Sequence, residues 1–155
     1  MPILNILNHT GKDLAGQYMY HFAEGYPQDL DGLQNLPFPV FYNRVKNIPY
    51  QSDEDLFPES MDGIIEVLAR PKYLLNKRLF PALDCKKKSI LCGAWASEND
   101  KPFFFYAVSE KPNKKIHHVI FGMDYGQGFK LIDPTFPEFE LGQELPITYA
   151  EVLKR

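Results

Sequence analysis

The chain has 155 residues, of which 45% are hydrophobic and 24% charged, and it carries a net charge of −3. This length suits a single domain, spanning residues 1–155, that buries roughly 70% of its unfolded surface without metals or disulfides. The charge balance argues against a nucleic-acid partner, and no apolar run approaches the roughly 18 residues of a membrane span.

Along the chain, Lys12 to Glu24 is expected to form a helix ending at Gly25, with Leu14, Tyr18 and Phe22 facing inward and His21 a further candidate for that face. Residues 25–58 contain Pro27, Pro37, Pro39, Pro49 and Pro58 and no clear period. They are expected to wrap the domain irregularly, with one short strand near Val40 to Tyr42. Met61, Ile64, Ile65 and Leu68 recur at helical spacing, with Ser60 as N-cap and Pro71 as the stop. A third helix is expected from Asp84 to Ser97, capped by Asp84, with Ile90, Leu91, Ala94 and Trp95 as its apolar bulk. Strands follow at Pro102 to Val108, Ile116 to Met123 and Phe129 to Asp133, the last two joined by the loop Asp124 to Gly128. A helical front half and an antiparallel meander make an α+β domain.

Two cysteines fall on the third helix. Seven residues place Cys85 and Cys92 about 10 Å apart along its axis, beyond the roughly 7 Å limit of a disulfide. Free thiols point to a reducing compartment, and Met1 to Asn8 lacks the basic region and cleavage site of a signal peptide, so a cytoplasmic protein is expected. Cys85 directly follows the cap, where helix N–H groups favour a thiolate. Cys92, two turns deeper, reads as a small buried hydrophobe. A nucleophilic Cys85 is therefore weighed against a core thiol, and favoured.

The hairpin supplies partners. With the loop centred on Gly126, Asp133 shares a sheet face with His117, whereas an offset of one residue gives it to His118. The pattern alone leaves both open. Lys86, Lys87 and Lys88 read as a solvated charged face, with a groove for acidic substrates as the sharper alternative. Gly126-Gln127-Gly128 reads as a turn. A zinc site from Cys85, a histidine and Asp133 lacks the usual ligand spacing.

The series Asp84-Cys85 opening a helix, His117-His118-Val119-Ile120 on a strand, then Leu131-Ile132-Asp133-Pro134-Thr135 resembles the transglutaminase-like superfamily within the papain-like cysteine fold. It covers Asp84 to Thr135, about a third of the chain. The resemblance implies Cys85 as nucleophile, His118 as general base and Asp133 as the carboxylate that orients it. It also implies acyl transfer from amide bonds of a protein or peptide substrate, as a peptidase, amidase, deamidase or cross-linking transferase, without a cofactor. The Cys85 N–H is expected to donate to the oxyanion, with Gln51 as a candidate second donor. Stand-alone domains of this type also resemble bacteriophage head and tail proteins. The alternative is therefore a non-enzymatic virion component, with assembly partners and a virion location.

Overall fold

A computed structural model describes residues 4–8, 12–52, 65–109 and 118–155. Its elements run β1 (Leu4–Asn8), α1 (Lys12–Glu24), a 3-10 turn (Leu33–Asn35), α2 (Phe38–Lys46), β2 (Ile65–Ala69), α3 (Pro71–Leu74), α4 (Cys85–Glu98), β3 (Phe103–Ser109), β4 (His118–Asp124), β5 (Phe129–Ile132) and β6 (Tyr149–Val152). Strands β1 and β2 form an antiparallel pair, and the other four make an antiparallel sheet in the order β5-β4-β3-β6. The chain is thus α+β, and no described helix is long and apolar enough to cross a membrane.

Helix α4 is the axis of the core. Every residue from Cys85 to Ala96 except Lys86 is buried, so the helix is covered all round, as an interior helix must be. It packs against α1, α2, β3 and β4. Close approach depends on Gly93, where a Cβ atom would sit 2.8 Å from Phe105, 2.9 Å from Phe103 and 3.0 Å from Ala23. The Tyr20 hydroxyl ties α1 to the sheet, accepting from the Phe105 N–H at 2.8 Å and donating to the Leu153 carbonyl at 3.0 Å.

Three expectations are corrected. Helix α1 has the expected bounds but a rotated face: Ala15, Met19, Tyr20, Phe22 and Ala23 are buried, while Leu14 and His21 are exposed and Tyr18 is half-buried. The region expected to be irregular contains helix α2, not a strand near Val40. Pro37 is its N-cap and Pro39 lies in its first turn, where a missing N–H breaks no helical bond. Residues 65–69 are strand β2, not helix; Ile65 pairs with Asn8 and Ala69 with Leu4. The β-branched Ile65-Glu66-Val67 run suits a strand, and pairing with β1 overrides the helical spacing. The proposed cap at Ser60, with Met61 and Ile64, lies outside the described residues.

Candidate active site

The first turn of α4 is built around Asp84. Its carboxylate accepts the Lys87 N–H at 3.0 Å through Oδ1 and the Lys87 ammonium at 3.0 Å through Oδ2. Burial alone would raise the Asp84 pKa, but the charges of Lys87 and Lys86 and these hydrogen bonds hold it below the usual carboxylate range. A fixed cap sets the direction of the next residue. That residue, Cys85, is 8% exposed and lines a cleft.

The β4–β5 hairpin delivers the other two groups. Asp124 pairs with Phe129 and Phe121 with Ile132, one residue out from a loop centred on Gly126. Asp124 fixes this turn by accepting the N–H groups of Gly126 and Gly128, both of which adopt positive φ angles. The offset puts Asp133 on the sheet face of His118, and His118 Nε2 lies 2.7 Å from Asp133 Oδ2. His117 lies outside the described residues.

His118 is also hydrogen-bonded to Cys85. Burial disfavours a charged ring, but the hydrogen bonds to Asp133 and Cys85 and the charges on both outweigh it, pushing the pKa up to about 10. Asp133 is itself held on three sides. Its Oδ1 accepts the Thr135 N–H at 3.0 Å, its Oδ2 meets His118, and its carbonyl accepts the Tyr42 hydroxyl at 3.0 Å.

The lysine run is not the solvated face expected from the sequence: Lys87 and Lys88 are wholly buried. The Lys88 ammonium donates to the carbonyls of Lys46 at 3.2 Å, Ile48 at 2.5 Å and Thr135 at 2.7 Å. It thereby joins the end of α2 to the segment following Asp133. Burial lowers the Lys88 pKa to about 8, opposed by the nearby Asp133 charge. Cys85, Lys88 and Cys92 are spaced to share one helix face, a sign legible in the sequence that Lys88 belongs under the site. Nothing in the sequence pattern marked Tyr42. Cys92 meets the expectation of a buried hydrophobe; it is wholly buried, and burial pushes its thiol pKa up.

The cleft encloses about 270 Å³. Cys85, His118 and Asp133 line it together with Tyr50, Val108, Ser109 and residues of the irregular segment 134–148. Gln51 sits beside the chain leading to Cys85, its N–H bonded to the Leu83 carbonyl at 3.4 Å, but its side chain is not part of the cleft wall. The Cys85 N–H belongs to the first turn of α4, where N–H groups have no acceptor inside the helix itself. Among the described residues, no three His, Cys, Asp or Glu side chains are grouped to hold a metal ion.

Comparison with protein-family models, with curated proteins and with solved structures finds no match to this chain.

Proposed function

We propose that the protein is a cysteine-dependent acyl-transfer enzyme acting on amide bonds, with Cys85 as nucleophile, His118 as acid and base, and Asp133 as the group orienting His118. We further infer a papain-like, transglutaminase-like arrangement, in which a helix-borne thiol meets an imidazole carried by an antiparallel sheet. One observation carries the reading. A single imidazole is hydrogen-bonded both to Asp133, through Nε2, and to Cys85, in the wall of a cleft and at a helix N-terminus. Nucleophile, base and orienter in hydrogen-bonded series is the arrangement that activates a thiol.

The chemistry follows from who holds the proton. Thiolate and imidazolium start as a pair. The Cys85 sulfur attacks the amide carbonyl carbon, and the oxyanion accepts the Cys85 N–H. The imidazolium then gives its proton to the departing amine nitrogen as the C–N bond breaks, leaving a thioester. Water attacks the thioester and gives a proton to His118. The C–S bond breaks, the carboxylic acid leaves and the thiolate returns. An amine in place of water yields a transferase.

Iodoacetamide labelling at pH 6, read by peptide mass, tests the pair. Cys85 is expected to label much faster than free cysteine, with His118→Ala abolishing the advantage; labelling of Cys85 no faster than free cysteine overturns the reading. The non-enzymatic assembly reading draws on Phe104 and Phe129, exposed and 6.4 Å apart on the sheet. It gains if Cys85→Ala leaves both labelling and every amide-hydrolysis assay unchanged.

A further inference from the structure

The walls of the cleft are mostly apolar. Segment 134–148 contributes five apolar residues, among them Phe136, Leu145 and Ile147, β3 adds Val108, and the hydroxyl-bearing Ser109 and Tyr50 complete the lining beside the Cys85 group. Among the described residues, the only charged side chains in this wall are His118 and Asp133, and each is already committed to the other. Asp133 also accepts the Thr135 N–H, so little of it remains for a substrate cation. A substrate carboxylate or ammonium entering here would lose its water and find, among the described residues, no counter-charge beyond the mutually engaged His118 and Asp133. A primary amide would lose hydrogen bonds that Val108, Leu145 and Ile147 cannot return, and among the described lining the side chains of Ser109 and Tyr50 are the neutral hydroxyls that could replace them. An apolar side chain loses nothing and gains the burial of its surface.

Size narrows the occupant. The volume of about 270 Å³ lies just below the roughly 300–1,000 Å³ of sites that enclose a drug-sized ligand. It suits one large side chain rather than a long peptide stretch. The segment that makes the wall is also fixed. Tyr42 donates to the Phe139 carbonyl, Lys88 to the Thr135 carbonyl, and the Thr148 N–H bonds the Ser109 carbonyl at 3.2 Å. The apolar wall is therefore built before any substrate arrives, which lowers the ordering needed on binding.

Resting on the acyl-transfer reading, we propose that this cleft binds the acyl side of the substrate and selects a single large apolar residue, phenylalanine- or leucine-like, at the scissile carbonyl. Glutaminyl, acidic and basic acyl groups are rejected. The acyl group is the part that becomes bonded to Cys85, and Cys85 lines this cleft.

The test uses N-acetylated chloromethyl ketones of phenylalanine, leucine, glutamine, glutamate and lysine on the intact protein. In each, the Cys85 thiolate displaces chloride and a C–S bond forms, a step followed by intact mass at pH 6. Rates are divided by the iodoacetamide rate of the same protein and by each probe's rate with free cysteine. The phenylalanine and leucine probes are expected to react at least about tenfold faster than the other three. Introducing charge into the wall with Leu145→Lys or Ile147→Lys is expected to move the preference toward the glutamate probe. Equal normalised rates, or a charged or amide probe reacting fastest, overturn the apolar assignment while fast iodoacetamide labelling keeps the nucleophile. Slow iodoacetamide labelling removes both. The wild-type comparison requires no variant to fold.

Discussion

Helix α4 carries the same side chain in two settings, and its first turn and its third differ in everything that governs a thiol. Cys85 stands at the helix N-terminus, hydrogen-bonded to His118 and lining a cleft. Cys92 lies seven residues deeper on the same face, wholly buried, with its ionisation suppressed by burial. One sulfur lines a cleft beside an imidazole and the other is sealed in the packing. Residue type and helix are constant across the pair, so the difference lies in the caps, the hairpin and the opening to solvent. Reactivity here is a property of position.

The largest effect should come from exchanging the roles. Cys85→Ala is expected to lower amide hydrolysis by about a thousandfold or more, whereas Cys92→Ala should keep kcat and lose about 1–2 kcal/mol of stability on urea unfolding. A matching loss of activity in both variants breaks the contrast. Next is the imidazole. His118→Ala should lower kcat by roughly two to four orders of magnitude and Asp133→Asn by less, both measured as kcat/KM on one amide substrate.

A smaller effect sits between the two cysteines. Lys88→Met removes an ammonium from three carbonyls and leaves them without that donor, for an expected loss of about 2–3 kcal/mol in denaturant unfolding. The Cys85 labelling rate should fall with it as the segment after Asp133 loosens, while Cys92 stays unlabelled.

A further effect is one of pH. The fold holds the His118 proton with a pKa of about 10 against an ordinary 6.5, so the folded chain binds it more tightly than the unfolded one. The resulting stabilisation is complete below about 6.5 and is lost as pH rises through about 10. The stability difference between wild type and His118→Gln should shrink over that window, as read from urea midpoints. A constant difference would mean that the ring is not charged in the fold.

The sequence carried the site further than it carried the fold. Asp84 as cap and Cys85 at the helix start follow from short-range rules that α4 obeys; hairpin register narrows the partner of Asp133 to His117 or His118 without choosing, and His118 comes from the resemblance. Pairing between Leu4–Asn8 and Ile65–Ala69 spans some sixty residues, and no local period reveals it. Helix α2 was masked by prolines that, in a first turn, do no harm. The lysines misled for a similar reason. Charge in a run suggests solvent, but Lys87 is partnered by Asp84 and Lys88 by carbonyls from two distant segments, and such partners are invisible one residue at a time.

The Lys88 clamp also has a consequence for synthesis. Its third carbonyl belongs to Thr135, so the ammonium stays hydrated while only the chain through β4 has left the ribosome. Nascent α4 then presents a sulfur with no oriented base behind it. On the acyl-transfer reading, the thiol acquires its oriented base only after translation has passed residue 135.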